Sequence, residues 1–207
     1  GLSWHPMVAS DGSFGGTVEL VDATLPAFTS AGVYSIRLRV TDGAGNSGES
    51  SESLLLAVYD PSAGFVTGGG WIESPAGAYI EDPLMTGRAT FGFVAKYRKG
   101  ASVPTGQTEF QFRAAGFTFH SEIYDWLVVA GARAQFKGTG TIDGQGDYGF
   151  MLTAIDGAVN GGGGTDRFRI RIWDRASDRM VYDNEAGLSD AGIPSTALGG
   201  GAIIVHA

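Results

Sequence analysis

Apolar and polar residues alternate in short runs along most of the chain, from Val33 to Val205. Residues 110–113 and 168–172 are the clearest examples of this period of two. Such alternation is typical of strands that bury one face, and Gly, Asp and Asn interrupt the runs where turns are expected. No stretch carries a sustained helical stripe. The pattern therefore predicts an all-β chain.

A β-hairpin is predicted near the N-terminus. Residues 33–41 alternate, Asp42 and Asn46 stand where a turn is needed, and residues 54–59 supply the returning strand. Residues 18–21 predict a further short strand.

This hairpin resembles the last two strands of an immunoglobulin-like domain of the polycystic-kidney-disease (PKD) type. The residues that carry the resemblance are Ala31-Gly32-Val33-Tyr34, Val40-Thr41-Asp42 and Gly45-Asn46-Ser47. The resemblance implies an immunoglobulin-like β-sandwich, but residues 1–62 hold too few strands to close one. We therefore expect a partial domain over residues 1–62. Pro61 and Gly64, which follow a strand, then predict a linker to a second unit, residues 63–207.

The second unit is predicted to be a larger antiparallel β-sandwich or flattened barrel. Residues 185–198 are expected to form a loop. The candidate strands are residues 65–72, 89–98, 108–113, 116–121, 126–137, 148–155, 167–174, 179–183 and 202–206.

Residues 65–207 resemble the post-COAP domain, an extracellular C-terminal module that follows PKD-type and other immunoglobulin-like repeats in secreted bacterial proteins. The resemblance implies an extracellular, secreted or cell-surface location, and it implies no particular activity. Its matching residues are Gly68-Gly69-Gly70-Trp71-Ile72, Thr90-Phe91-Gly92-Phe93-Val94, Lys96-Tyr97, Pro104-Thr105-Gly106-Gln107-Thr108-Glu109-Phe110, Asp125-Trp126-Leu127, Gly138-Thr139-Gly140-Thr141-Ile142, Tyr148-Gly149-Phe150, Asp156-Gly157, Ile172-Trp173-Asp174 and Val181-Tyr182-Asp183.

Charge and composition narrow the function classes. The formal net charge of −8 argues against nucleic acid or an anionic membrane as the main partner. The absence of Cys excludes disulfides, thiolate metal sites and cysteine nucleophiles. The apolar stretches are too short for a membrane-spanning helix, so no membrane insertion is expected. Because the chain begins at Gly1, we expect a mature product or an excised fragment.

Catalytic motifs are absent from the sequence. The three histidines, His5, His120 and His206, have no partners at metal-ligand or general-base spacing, and no G-x-S-x-G occurs. The chain is therefore predicted not to be an enzyme. A hydrolase is the rival interpretation, and it would need two carboxylates about 5–10 Å apart in a cleft. Its candidate carboxylates are Asp125, Asp156, Asp166 and Asp174.

A glycine-rich loop carries the candidate metal ligands. Asp156, Asn160 and Asp166 flank residues 161–164, all of which are glycine. Hard cations such as Ca²⁺ take several oxygen ligands, including carbonyls exposed by such turns. Calcium is therefore a candidate cofactor. The alternative is that these side chains only stabilise turns by hydrogen bonds to the backbone.

A basic row on one strand is the candidate ligand-binding surface. Arg167, Arg169 and Arg171 alternate, so they share a face with Trp173. Such a row could bind an acidic polysaccharide or a partner's carboxylates. The alternative is a solvated face with cross-strand partners such as Glu109.

The tryptophans admit two interpretations. Trp71, Trp126 and Trp173 lie in apolar runs and are expected in the core, although together they could form a sugar-stacking platform. Trp4 is expected to be the most exposed of the four.

The sequence thus predicts an extracellular, non-catalytic structural or adhesive module of a secreted or cell-surface bacterial protein. The expected partners are other subunits or domains of the same assembly, and an open edge in residues 1–62 would allow filaments to form by strand exchange. A carbohydrate-binding module appended to a secreted enzyme is the alternative.

Overall fold

The computed structural model describes residues 3–50 and 54–206, and it confirms the all-β prediction. The predicted unit bounds at residues 1 and 207 lie outside the described residues. Within the described chain no helix is long and apolar enough to cross a membrane, and a three-residue 3-10 helix spans Arg113–Ala115. The strands are β1 (Val8–Ala9), β2 (Val21–Asp22), β3 (Gly32–Ile36), β4 (Arg39–Thr41), β5 (Ser47–Glu49), β6 (Leu54–Val58), β7 (Phe65–Ser74), β8 (Gly87–Tyr97), β9 (Pro104–Phe112), β10 (Phe117–Ala130), β11 (Arg133–Ile142), β12 (Gln145–Ile155), β13 (Arg167–Asp174), β14 (Met180–Asp183) and β15 (Gly200–His206).

Strands β7 to β15 form one antiparallel sheet of nine strands. Strands β7 to β14 follow one another as a meander, and β15 returns to pair with the outer edge of β7. Residues 185–198 contain no helix and no named strand, as expected.

The sheet curls until its two ends approach each other. The amide N–H of Ile80, beyond β7, donates to the carbonyl of Val181 in β14 at 3.1 Å. The N–H of Asp183 donates to the carbonyl of Ala78 at 2.9 Å. Curling of this kind covers the inner face of a large sheet with the sheet itself. The second unit is therefore a single curled antiparallel sheet that packs like a β-sandwich.

Phenylalanine fills the interior of the curled sheet. The rings of Phe91 in β8 and Phe168 in β13 stack with their centroids 4.0 Å apart, which joins opposite sides of the sheet. Tyr182 is fully buried beside them, and its hydroxyl donates to the Oγ of Ser74 at 2.9 Å. Burial raises the pKa of Tyr182. Aromatic side chains bury the largest apolar areas, so they dominate the stability of such a core.

Strand β12 is buried on both faces. From Gly149 to Ile155 every residue is buried, although alternation would leave one face in water. The outward-facing Met151 and Thr153 are each 3% exposed, because the loop at residues 184–196 lies over them. The loop therefore acts as a second covering layer.

Two predicted boundaries in the second unit are wrong. Residues 116–121 and 126–137 were expected to form two strands separated at residues 122–125, but β10 runs without a break from Phe117 to Ala130. The second expected strand instead divides where β10 ends at Ala130 and β11 begins at Arg133. Gly131 adopts φ 58° in the turn, a left-handed conformation that glycine accepts without strain. The turn has small apolar residues and no Asp, Asn or Pro, so the run looked uninterrupted.

The N-terminal part, residues 3–58 as far as they are described, consists of three separate strand pairs: β1–β2, β3–β6 and β4–β5. The predicted hairpin pairing is confirmed, with Val33 opposite Ala57. The predicted strand 33–41 is interrupted, because the N–H of Leu38 donates to the Oγ of Ser50 instead of continuing a ladder. The predicted turn is confirmed as well: Asp42 accepts from the N–H groups of Ala44 and Asn46.

The N-terminal part buries very little. Ala9 is the one buried side chain among its described residues. The predicted strand 18–21 is mostly wrong, because only Val21 enters a strand, β2. Val18 is 86% exposed and Leu20 is 79% exposed.

A tight turn and an aromatic stack join the N-terminal part to the large sheet, and β3 and β6 also approach β10. The ring of Tyr59 stacks on Tyr97 of β8 at 5.3 Å, and its hydroxyl donates to the carbonyl of Ser102 at 3.3 Å. Asp60 then accepts from the N–H of Ser62 at 2.8 Å. The Ser62 hydroxyl, which also donates to this carboxylate, lowers the pKa of Asp60. The predicted linker is thus a hydrogen-bonded turn.

Candidate functional site

The predicted basic row lies on the outer face of β13. Arg167, Arg169 and Arg171 alternate with Phe168 and Ile170, which are fully buried in the core. The row therefore faces away from the phenylalanines, as alternation predicts. It does not face water, however, because the loop at residues 184–196 covers this part of β13.

Arg169 is buried in a network of charge-assisted hydrogen bonds. It is 3% exposed, and its Nε and Nη2 donate to the two carboxylate oxygens of Asp183 at 2.9 and 2.8 Å. Its Nη1 donates to the carbonyl of Ser189 at 3.0 Å, and Nη2 also donates to that of Leu188 at 2.8 Å. A bidentate pair of this kind satisfies both charges. Arg169 therefore holds the covering loop and is not available to an external ligand.

Strand β11, which is separated from β13 by β12, fastens the same loop. The Nη1 of Arg133 in β11 donates to the carbonyl of Ala191 at 2.9 Å. The side-chain amide of Gln135 donates to the carbonyl of Asp190 at 2.7 Å. Burial lowers the pKa of Arg133. Two strands thus clamp one loop through their outward polar side chains.

Arg171 sits at the margin of this clamp. Its Nη1 pairs with the carboxylate of Asp190, and its Nε lies 3.6 Å from the Oδ2 of Asp183. Burial lowers the pKa of Arg171, and the Asp183 carboxylate raises it in part. The expected solvated face is therefore wrong for Arg169 and Arg171, and Glu109 is not their partner, since it lies beside His120.

The other two members of the row also serve the framework. The Nη2 of Arg167 donates to the carbonyl of Gly162 at 2.8 Å and so fixes the glycine-rich loop. Trp173 is half-buried, and its indole covers Gly149 of β12, where a Cβ would collide with the ring. The structure thus brings Arg169 and Arg171 together on Asp183 and places Arg167 elsewhere.

Asp156 and Asp166, two of the predicted calcium ligands, close a seam of the sheet. The carboxylate of Asp156 accepts from the N–H of Ala158 and the N–H of Val205, both at 2.9 Å. That of Asp166 accepts from the N–H of Gly157 at 2.7 Å and the N–H of Ile203 at 2.8 Å. The two carboxylates thus occupy edge donors of β15 that a further strand would otherwise bond.

Asn160 is exposed in the loop between these carboxylates. Among residues 3–50 and 54–206, no three His, Cys, Asp or Glu side chains lie together as a metal site. Carboxylate oxygens have lone pairs beyond those used here, so Ca²⁺ at Asp156, Asn160 and Asp166 stays a prediction.

The remaining hydrolase candidates, Asp125 and Asp174, take no part in this seam. Asp125 is exposed on β10. Asp174 accepts from the N–H of Ser177 at 2.8 Å and from its hydroxyl at 2.6 Å in a surface turn. The Ser177 hydroxyl lowers the pKa of Asp174, which favours a turn-forming carboxylate over a proton donor.

The tryptophans depart from the expected core role. Trp71, Trp126 and Trp173 are all half-buried on outward positions. Trp71 has the Arg88 guanidinium 3.9 Å above its ring, and the ring also lies against Gly199, where a Cβ would collide with it, so Trp71 does not present a fully open stacking face. The core prediction fails because phenylalanine fills the interior and leaves the larger indoles outside. Trp4 is 41% exposed, as predicted, and stacks with Arg39.

A polar groove that the sequence did not indicate crosses the outer face of β8, β9 and β10. It encloses about 420 Å³. Gly92, Glu109 and His120 stand directly opposite one another on its floor, and the Nδ1 of His120 lies 3.6 Å from the Oε2 of Glu109. Both side chains are about half exposed. Only the register of three strands brings these residues together.

A second groove, largely apolar, runs along β3 in the N-terminal part and encloses about 280 Å³. We call it the β3 groove. Its apolar lining residues are Trp4, Met7, Leu25, Phe28, Tyr34, Ile36 and Leu38. Tyr34, Ile36 and Leu38 alternate along one predicted face, and among the described residues β3 hydrogen-bonds to β6 alone.

Comparisons of the chain with protein-family models, with curated proteins and with solved structures find no match. The resemblances to PKD-type and post-COAP domains stay predictions.

Proposed function

We propose that this chain is a non-catalytic structural or adhesive module of a secreted or cell-surface bacterial protein, and that it acts by contact with other subunits of the same assembly. The observation that carries the proposal is the uncovered apolar surface of the N-terminal part. Extended apolar surface on a folded chain marks a site of protein association.

The exposed side chains make the case in detail. Val18, Leu20, Val40 and Leu54 are each more than half exposed, whereas Ala9 alone is buried in the described N-terminal part. A lone exposed apolar residue needs no explanation, but a region with almost no core does. Contact with another chain would supply the missing cover.

The large sheet also supports a structural role, because its buried charges are already bonded within the protein. Its buried charged residues Arg169, Asp183 and Asp156 bond to each other or to the backbone. A catalytic site requires a charged group aimed at open space where a substrate can sit. These three groups instead hold a loop and an edge strand in place.

Two measurements on the full chain test the proposal. Sedimentation over a wide concentration range is expected to show species larger than the 21.5 kDa monomer. Incubation with polysaccharides, peptides and phosphoesters is expected to give no turnover above background. Reproducible cleavage that a single carboxylate substitution abolishes would overturn the non-catalytic assignment.

The polar groove supports a second candidate function, carbohydrate binding. Glu109, His120 and Gln107 line the groove and offer donors and acceptors, and the amide of Gln111, two residues along β9, donates to Glu109. Glycan-array binding that Glu109→Gln removes would support this function. Glu73→Gln is the matched control, because Glu73 is also exposed on a sheet strand but lies outside the groove. Equal glycan binding by the unmodified chain, Glu109→Gln and Glu73→Gln would exclude the groove as the carbohydrate-binding site.

A further inference from the structure

A short segment of the N-terminal part has the pattern of a strand but lies outside every strand pair of the described chain. Residues 17–20, here called the donor segment, alternate polar and apolar residues. Strand pairing begins only at Val21, and Val18 and Leu20 before it are 86% and 79% exposed. Residues 16–18 form a bend in this structure. Side chains two apart on an extended chain share one face, so the donor segment would present both aliphatic side chains together once it is extended against another strand.

The β3 groove has the complementary shape and surface. Strand β3 pairs with β6 alone among the described residues, so one edge of β3 carries unpaired backbone groups. Tyr34, Ile36 and Leu38 line the groove beside that edge. An edge strand next to an apolar groove is the arrangement that accepts an added strand, because the backbone bonds to the edge and alternate side chains enter the groove.

We infer that the donor segment of a second copy of this chain adds to the free edge of β3 and places Val18 and Leu20 in the β3 groove. The inference rests on the proposed function and names its partner. Charge supports this occupant: Glu19 lies between the two aliphatic residues, and Arg37 and Arg39 line the groove. Within one chain Arg39 pairs with Glu49, and the Glu19 carboxylate accepts from the N–H groups of Gly15 and Gly16, so docking would exchange these surface contacts for pairing between copies. Opposite charges across a strand pair stabilise that register.

The donor segment is held away from the groove of its own chain. The carbonyl of Leu20 accepts from the N–H of Ser10 at 2.8 Å, and Val21 pairs with Ala9. Residues 17–20 do not line their own β3 groove. Since donor and acceptor are different surfaces, each added copy offers a new donor, and the contact builds an open chain of subunits.

Sedimentation of Leu20→Asp in the full chain is the first test. A carboxylate in the groove should weaken self-association roughly tenfold or more, because the burial of one leucine is lost. Leu84→Asp is the matched control, since Leu84 is 87% exposed on the connection after β7. The control should associate like the unmodified chain. Equal association by both variants, or an unmodified chain that stays monomeric at high concentration, would overturn the inference.

Disulfide trapping gives a second test that does not depend on how well one variant folds. The chain has no Cys, so a Glu19→Cys protein mixed with an Arg37→Cys protein can form only introduced disulfides. Oxidation should yield a mixed dimer in larger amount than a mixture of Leu84→Cys with Arg37→Cys. A yield of mixed dimer from the Leu84→Cys mixture that equals or exceeds the yield from the Glu19→Cys mixture would contradict the proposed contact. If the mixed dimer does not form, the assay for turnover of polysaccharides, peptides and phosphoesters is unaffected. The proposed contact and the non-catalytic assignment can therefore be refuted independently.

Discussion

The N-terminal part and the large sheet are built from the same kind of sequence but differ in burial. Both contain alternating strands and glycine-rich turns, yet the large sheet buries a continuous phenylalanine core, whereas Ala9 alone is buried among the described residues of the N-terminal part. Alternation places apolar side chains on one face, and only a second layer removes that face from water. Strand pattern and stability are therefore separate properties of this chain.

Ion pairs show the same difference. Arg39 and Glu49 face each other across β4 and β5 with side chains 43% and 38% exposed. Arg169 and Asp183 pair across β13 and β14 with side chains 3% and 7% exposed. Water screens the first pair, whereas the second has lost its hydration and depends on its partner.

The largest predicted effect follows from that difference. Asp183→Asn removes one charge of the buried pair and leaves Arg169 uncompensated, so the free energy of unfolding should fall by about 3–5 kcal/mol. Urea unfolding followed by tryptophan fluorescence measures the change. Glu49→Gln, the matched control in the exposed pair, should change stability by about 0–1 kcal/mol. Similar losses in the free energy of unfolding for Asp183→Asn and Glu49→Gln would show that burial does not distinguish the two ion pairs.

The next effect concerns the seam at β15. Asp156→Ala leaves the N–H groups of Ala158 and Val205 without their acceptor, which should cost about 1–3 kcal/mol. Asp11→Ala, which removes an exposed carboxylate from the N-terminal part, should have a much smaller effect on thermal unfolding.

Thermal unfolding of the same proteins tests the calcium prediction. If Ca²⁺ binds at the seam, it raises the melting temperature by mass action, and both Asp156→Ala and Asp166→Ala lose that increase. An unmodified chain that melts identically in calcium and in EDTA would show that the carboxylates only fasten β15.

Limited proteolysis tests how independent the two regions are. Cleavage within residues 60–64 should release a stable fragment that begins near residue 63, as mass spectrometry would identify. Tyr59→Ala removes the stack on Tyr97, worth about 0.5–1.5 kcal/mol, and should speed that cleavage severalfold. A core that resists cutting in both proteins would contradict the predicted boundary.

The smallest effect is a local pH dependence of the N-terminal hairpin. The Asn46 side-chain amide, followed by the Asn46 N–H, lowers the pKa of Asp42 below its ordinary value of 3.8. The carboxylate therefore stabilises the turn above that value, and its contribution is lost as pH falls through the lowered pKa. NMR shifts of the Ala44 and Asn46 amides should follow this titration. In Asp42→Asn the acid transition should disappear.

Local chemistry made much of the fold predictable. The Asp42 turn and the β3–β6 pairing follow from residues close in sequence, and both are observed. The boundary at Gly131 was missed because no polar residue interrupts the run from Leu127 to Ala132. The donor segment shows the converse error: alternation was present, but a strand also needs a partner.

The site residues were harder to predict because their roles depend on distant segments. Alternation correctly placed Arg169 opposite the core, but a loop from beyond β14 then buried it. Asp156 bonds to Val205, and no local spacing could suggest that contact. Glu109 and His120 lie opposite each other through the register of β9 and β10, which the sequence pattern does not specify.

The pairing of β15 with β7 has a consequence for the order of folding. Gly70 pairs with Gly201, so the first strand of the meander acquires its second neighbour only after all the others exist. Until β15 has been synthesised, one edge of β7 has no hydrogen-bonded neighbour and can bond to another nascent chain. Its run of Gly68, Gly69 and Gly70 is a poor template for such mispairing, because glycine has low strand propensity. The same glycines admit β15, since a Cβ at Gly70 would collide with the carbonyl of Gly200.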